Sequence, residues 1–157
     1  MRVGQGFDAH RFGDGDHVML GGVRVPHDRG VVAHSDGDVI LHAVADALLG
    51  AAGLGDIGHF FPDDDAQWAG ADSGDLLARV VRAVADSGWK PMNVDCTLVA
   101  ERPRVATHVA AMRERMAGLL ELGVDAVSVK ATTAERMGFI GREEGLAAFA
   151  TALLSRA

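Results

Sequence analysis

At 157 residues the chain fits one domain and falls short of two, and a domain of this size buries roughly 70% of its unfolded surface. A hydrophobic share of 48% with 24% charged residues is that of a soluble globular protein. The net charge of −7, with no Lys/Arg-rich stripe to meet phosphates, excludes a general nucleic-acid binder. No apolar run is long enough to span a bilayer and no basic-then-apolar leader opens the sequence, so a cytoplasmic protein without a membrane partner is expected. Cys96 is the only cysteine, which rules out a disulfide within the chain and a Cys-based zinc site. The acidity carries a further implication. Carboxylates cannot hold an anion directly, so an acid-rich pocket points to divalent metal ions or to a cationic substrate.

Met1 to His10 reads as a strand, which sends alternate side chains to one face. Within it, Gly4-Gln5-Gly6-Phe7-Asp8-Ala9 fits the loose G-x-G-x-x-A dinucleotide pattern. That motif requires a helix immediately after it, and the Gly- and Asp-rich segment His10 to Gly22 has no helical period, so the pattern is a decoy. Met19-Leu20 and Val23-Arg24-Val25, parted by Gly21-Gly22, predict a hairpin ending at Pro26. Ile40, Val44, Ala47, Leu48 and Ala51 give a helical stripe over Val39 to Ala52, with Ser35 and Asp38 as a capping pair at its start. Asp38, His42 and Asp46 recur at i, i+4 and form a polar line on the other side of that helix. An EF-hand reading of the acidic clusters fails on the position of its glycine and on its twelfth residue.

Gly53 to Gly70 reads as a long irregular segment, of the kind that is functional or disordered; Phe60 and Phe61 argue against disorder. Ser73 is expected to cap a second helix running to Asp86, with Leu76, Leu77, Val80, Val81 and Val84 inward. Trp89 to Ala100 alternates as a strand. Pro103 is placed at the start of a third helix, whose stripe runs through Val105, Val109, Met112, Met116, Leu119 and Leu120 to a stop at Gly123. Val127 to Thr133 is another strand. Leu146 to Leu154 is ambiguous, since its alanines favour a helix by propensity while a short apolar run also suits a buried strand. The order predicts a single α/β (α+β) domain over residues 1–157, a mixed β-sheet with helices packed on it.

Asp8 and His10 share a strand face, about 6.5 Å apart along it, and His42 in the first turns of the first helix can supply a third ligand. One carboxylate and two imidazoles suit Zn²⁺, and three protein ligands leave a tetrahedral ion one open position, as in catalytic sites. An isolated Asp-x-His is ordinarily surface decoration; the surrounding crowd of His34, Ser35, Asp36, Asp38, Asp56, Asp63, Asp64 and Asp65 raises its standing. Asp38 or Asp46 is the expected outer partner orienting the His42 ring. On these residues alone, a zinc hydrolase acting through a metal-bound water is an equal reading.

Six motifs carry a resemblance. They are Arg2 to His10, Ala33-His34-Ser35-Asp36-Gly37-Asp38 with His42, Leu54-Gly55-Asp56-Ile57-Gly58, Phe61-Pro62-Asp63, Lys130 to Glu135, and Gly138-Phe139-Ile140-Gly141-Arg142. In this order, end to end, they resemble the 2-C-methyl-D-erythritol 2,4-cyclodiphosphate synthase family of non-mevalonate isoprenoid biosynthesis, and the length suggests the form without a fused cytidylyltransferase. The resemblance implies a chorismate-mutase-like fold assembled as a homotrimer with active sites between subunits, and it makes the last segment a strand. It implies a phosphorus–oxygen lyase: the 2-phosphate of a CDP-linked methylerythritol attacks the β-phosphorus, expels CMP and closes a cyclic diphosphate. Asp8, His10 and His42 would bind zinc, and Glu135 a second divalent ion, Mg²⁺ or Mn²⁺. His34 and Thr133 match positions that stabilise the transition state. Asp8, His10 and His34 are also carried over as substrate contacts. Ser35, Asp56, Ile57 and Gly58 match the methylerythritol side of the substrate site, as do Phe61, Pro62, Asp63, Asp64 and Asp65. Ala100, Glu101, Arg102, Pro103, Arg104, Val105 and Ala106 match the cytidine and phosphate pocket, with Thr132, Thr133, Ala134 and Glu135. Phe139 and Arg142 are carried over as further contacts, without a fixed role for Arg142. Many members have Lys where this chain has Arg104, which keeps the charge but adds a planar fork.

Overall fold

The computed structural model describes residues 1–62 and 64–157; the expectation for Asp63 falls outside the described residues. The opening strand β1 runs from Arg2 to Gly13, three residues beyond the predicted His10. It is followed by a hairpin of β2 (His17–Leu20) and β3 (Val23–Pro26), as predicted, and by the short β4 (Gly30–Val31). Helix α1 spans Val39–Ala52, and the segment after it contains a single helical turn, α2 (Ile57–Phe60), and a 3₁₀ turn at Ala66–Trp68. Then come α3 (Ser73–Asp86), β5 (Trp89–Val99), α4 (Val109–Leu120), β6 (Val127–Thr132), the short α5 (Gly138–Gly141) and β7 (Gly145–Arg156).

The main sheet has the order β4-β1-β7-β5-β6, antiparallel except for the parallel pair β5–β6. β7 therefore lies at its middle, hydrogen-bonded along both edges, which overrides the helix propensity of its alanines. Leu146, Ala148, Ala150, Ala152 and Leu154 point into the helical layer and are buried. Their small size lets α1 lie close across β7 and β1. On β1 the same face carries Gly4 and Gly6, where an added Cβ would run into the carbonyls of Ala47 and Ala43 of α1. With the sheet beneath it and α3 beside it, α1 is buried on nearly every side. His42 and Asp46 are among its few partly exposed positions.

Two predicted helix caps and one predicted helix start differ. Asp38, not Ser35, caps α1, its carboxylate accepting from Ile40 N–H and Leu41 N–H. Asp72 caps α3, so Ser73 is the first helical residue, with its side chain free for another partner. Pro103 begins no helix; it follows a cis peptide in a turn that leads through a 3₁₀ turn at Ala106–His108 into α4. Val105 is buried nonetheless, and α4 ends at Leu120, before the predicted Gly123, through Glu121 in a left-handed conformation.

Opposite the helical layer the sheet is bare. Phe7 and Phe149 are cross-strand partners with ring centroids 4.9 Å apart, yet remain 51% and 43% exposed, and Val3 nearby is 69% exposed. No helix of the described residues is long and apolar enough to cross a membrane.

Candidate functional site

β1 and α1 meet where the three predicted ligands lie. Asp8 and His10 project from alternate β1 positions on the helix-facing side, and His42 comes down from the first turn of α1. Asp8 Oδ2 is 2.9 Å from His42 Nδ1 and 3.1 Å from His10 Nε2, and the two nitrogens are 3.3 Å apart. The imidazole rings stand at 81° to each other, so their lone-pair directions can converge on one point. A tetrahedral zinc with bonds near 2.1 Å has ligands separated by about 3.4 Å. The observed triangle is only slightly tighter, and the donor set of one oxygen and two nitrogens fits that ion. These are the described residues that could form such a site.

The electrostatics agree with a place built for a cation. Burial pushes the Asp8 carboxyl upward, but hydrogen bonds and charge from His10 and His42 outweigh it and bring it down to about 2. Burial lowers the His42 imidazole, and the Asp8 carboxylate more than reverses this, so the net direction is up.

Neither expected outer partner touches His42. Asp38 is fully buried and spent elsewhere: besides the two α1 amides, it accepts from Gly21 N–H at 2.9 Å and Gly22 N–H at 2.7 Å. It thus ties the β2–β3 hairpin to the head of α1, and Gly21 and Gly22 supply the positive φ that the turn demands. Burial pushes its carboxyl upward against these backbone bonds. Asp46 accepts from Ile57 N–H at 2.7 Å and holds α2 in place. The outer nitrogen of His42, Nε2, faces Ser73 Oγ at 2.9 Å and Ser35 Oγ at 3.2 Å. Ser73 was legible only as a cap, so this contact had no signal in the spacing.

A cavity of about 170 Å³ opens beside the triad, lined by Asp8, His34, Ser35, His42, Ile57, Gly58 and Phe61. Trp68 and Leu76 complete it; neither was singled out from the sequence. Trp68 stacks edge-on against Phe61 at 4.9 Å. The ring of His34 reaches the carbonyl of Asp65 at 3.2 Å and holds it beside the pocket. Asp56 caps α2 through His59 N–H, and Asp65 caps the 3₁₀ turn through Gln67 N–H, so both carboxylates serve the backbone. Pro62 and Asp64 are exposed and do not line this cavity.

A second, larger cleft of about 500 Å³ lies at the ends of β5 and β6. Ala100, Glu101, Pro103, Arg104, Val105 and Ala106 form one wall, and Thr132 and Thr133 the other. Leu98 and Val109, which the motifs did not indicate, add apolar lining together with Ala131 of the Lys130 to Glu135 motif. Glu101 Oε1 accepts from Ala134 N–H at 3.0 Å and Arg136 N–H at 3.1 Å. It thereby pins a turn in which Glu135 and Arg136 both have positive φ, 52° and 61°, a conformation with a real cost for residues bearing a Cβ. Thr133 Oγ1 donates to Glu135 Oε1 at 3.2 Å. Arg102 leans outward toward Asp28, 3.8 Å away. Arg142 pairs with Glu144, and Phe139 is exposed; neither lines either of these two cavities. Register relates the two cavities: Asp8 pairs with Ala148, and Ala148 with Leu98, so both open at the same level of the sheet with β7 between them.

A model of the YgbB family matches residues 1–155. The chain belongs to the YgbB family. A YgbB relative from Pseudomonas aeruginosa (strain UCBPP-PA14), named 2-C-methyl-D-erythritol 2,4-cyclodiphosphate synthase, is 61% identical over 154 residues, 98% of each chain. Among solved structures, a 2C-methyl-D-erythritol-2,4-cyclodiphosphate synthase in its CDP-bound form superposes with a TM-score of 0.90 at 36% identity, over 98% of this YgbB chain and all of the other. The bifunctional IspDF of Campylobacter jejuni superposes at 0.96 with 41% identity; 99% of this chain corresponds to 42% of that longer one.

Proposed function

We propose that the protein converts 4-diphosphocytidyl-2-C-methyl-D-erythritol 2-phosphate to 2-C-methyl-D-erythritol 2,4-cyclodiphosphate with release of CMP, a step of non-mevalonate isoprenoid biosynthesis. The observation that carries this reading is the Asp8–His10–His42 triangle beside a closed pocket, level with a cleft whose counterpart belongs to a relative solved with CDP. As a reaction class it is a phosphorus–oxygen lyase. An oxygen of the 2-phosphate attacks the β-phosphorus, the bond from that phosphorus to the CMP oxygen breaks, and the eight-membered ring closes. The nucleophile is already anionic, so no general base is needed. Charge and alignment make the barrier.

Asp8, His10 and His42 would hold Zn²⁺, and Glu135 a second ion, Mg²⁺ or Mn²⁺, which commonly takes one carboxylate together with substrate phosphates. Bound there, divalent ions neutralise the diphosphate and withdraw charge from the phosphorus under attack. His34 and Ser35 face the reacting end, and Ile57, Gly58 and Phe61 enclose the methylerythritol, with Asp56 and Asp65 holding their turns. The cleft from Ala100 to Ala106 receives the cytidine, Arg104 supplying positive charge, and Thr133 with Thr132 and Ala134 reaches the phosphates. Keeping both ends of one molecule in a near-attack shape removes entropic cost, up to about 7–11 kcal/mol in the best cases.

The assembly we propose is a homotrimer with active sites at subunit interfaces, in the cytoplasm. The bare face bearing Val3, Phe7 and Phe149 supports it, because contiguous apolar surface of this kind is normally covered by another chain. Incubation of the substrate with protein, Zn²⁺ and Mg²⁺, followed by ³¹P NMR, tests the activity. Equal amounts of CMP and cyclic diphosphate are expected. An open-chain hydrolysis product would transfer the site to a zinc hydrolase, and unreacted substrate would end the enzymatic reading.

A further inference from the structure

Behind the triad, away from the pocket, runs a chain of hydrogen bonds to which the reaction assigns no part. The hydroxyl of Ser73 donates to Asp36 Oδ1, while Asp36 Oδ2 accepts from the Ser73 amide at 3.0 Å. Asp36 Oδ1 also accepts from Asp38 N–H at 3.1 Å, which fixes the carboxylate at the entrance to α1. A hydroxyl has one proton. Once Ser73 has given its proton to Asp36, its oxygen can only accept, and the group 2.9 Å from it is His42 Nε2. Ser35 Oγ, 3.2 Å from the same nitrogen, already accepts from Gly37 N–H and is the longer contact.

We propose that Asp36 and Ser73 are positioning residues that fix His42 as the Nε2–H tautomer, leaving the Nδ1 lone pair pointed at Asp8 Oδ2 and His10 Nε2. The proposal deepens the metal-site reading above and rests on it for its consequence, a higher metal affinity. The direction follows from the carboxylate, which has no proton to give, so the polarity runs one way: imidazole N–H to serine oxygen, serine O–H to carboxylate. With Nε2–H committed to Ser73, Nδ1 is the His42 nitrogen that faces Asp8 Oδ2 and His10 Nε2 at 2.9–3.3 Å, and the one whose lone pair an entering cation takes. Ser73 is 1% exposed and His42 sits on a buried helix, so water cannot readily substitute for either link. Outer partners of this kind contribute about 10–100-fold to metal affinity.

Asp36→Asn reverses the polarity with almost no change in shape. A single Asn oxygen cannot serve both backbone amides. Turned to the Ser73 amide, it aims the NH₂ at Ser73 Oγ, frees the serine proton for His42 Nε2 and leaves Asp38 N–H unpaired, whereas the other orientation gives up the Ser73 amide. Ser73→Ala removes the middle link and leaves the bond from Asp36 to the residue-73 amide; Ser73→Thr restores a hydroxyl. Two measurements on the intact protein are needed: zinc affinity by competition with a chromogenic chelator, and the His42 side-chain ¹⁵N shifts in zinc-free protein at a pH where the imidazole is neutral. In the wild type, a protonated Nε2 with a bare Nδ1 is expected. Asp36→Asn and Ser73→Ala should bind zinc about 10–100-fold more weakly, with Ser73→Thr closer to wild type and the tautomer signal inverted or mixed in Asp36→Asn. A wild-type Nδ1–H signal, or unchanged zinc affinity in both disrupted variants, overturns the proposal. If the wild type takes up no zinc but shows the predicted tautomer, the metal reading fails and the relay survives, so the two failures are separable.

Discussion

The two cavities are built in opposite ways. The one beside β1 and α1 is made of side chains on regular elements: Asp8 and His10 two residues apart on a strand, His42 one turn into a helix, and the buried Ser73 behind the His42 ring. The one at the ends of β5 and β6 is made of turns, with a cis Arg102–Pro103 peptide and two consecutive left-handed residues held by one carboxylate. A small ion needs donors fixed to a fraction of an ångström, which close packing of a helix on a sheet provides. A nucleotide-sized ligand instead needs an open edge and backbone groups, which turns provide.

The sharpest way to break the contrast is His42→Ala. It should abolish zinc retention and lower turnover by at least about 10³-fold, the scale of losing a charge-stabilising group in phosphoryl transfer, while the fold persists; metal analysis with CMP release reads both. Normal turnover in zinc-free protein would remove the first cavity from the chemistry. Gly6→Ala attacks the packing that sets the donors, since its Cβ would collide with the Ala43 carbonyl. A loss of about 1–3 kcal/mol or more is expected by urea unfolding, with weaker zinc binding; a neutral result would mean that α1 yields easily.

The second cavity should respond differently. Glu101→Ala should release the 133–136 turn and reduce turnover about 10-fold or more, the scale of removing a support for a positioned group, with zinc content unchanged. Glu101→Gln should retain most activity, because one oxygen receives both amides. Equal loss in both variants would show that the negative charge, rather than the strut, matters.

The smallest effect is on the stability of metal-free protein against pH. The Asp8 carboxyl lies below its ordinary 3.8, so its contribution is present above that value and fades as pH falls toward about 2. His42 lies above its ordinary 6.5, so its contribution is complete below that value and is lost as pH rises through the folded-state value. Zinc-free protein should therefore be most stable between these limits. Zinc binds the neutral imidazole and should remove the alkaline decline; an identical decline with and without zinc would place its origin elsewhere.

The contrast also explains what could be read from the sequence. Alternation placed Asp8 and His10 on one strand face, and helical period placed His42 on the polar line of its helix, because both repeats carry directional information. That the three meet was suggested by their donor chemistry and by the family resemblance. The same periodicity misled about Asp38 and Asp46: it aligned them with His42 but could not reveal that Gly21, Gly22 and Ile57 had claimed their oxygens from other parts of the chain. Ser73 meets His42 only through the packing of α3 on α1, which no local pattern encodes. β7 was ambiguous because alanine propensity is local, whereas its two hydrogen-bonded neighbours come from distant segments. The cleft residues from Ala100 to Ala106 and the turn through Glu135 were available through family resemblance alone, since turns leave no repeat.

The central position of β7 bears on how the molecule is made. Of the described strands it is made last, yet β1, the earliest of them, has no lateral neighbour on that side until it arrives, and β5 waits for the same edge. The donors on β1 and the wall on β5 cannot come into alignment before β7 has been made. A nascent chain stalled before Gly145 should therefore capture neither ion nor nucleotide, however complete its helices.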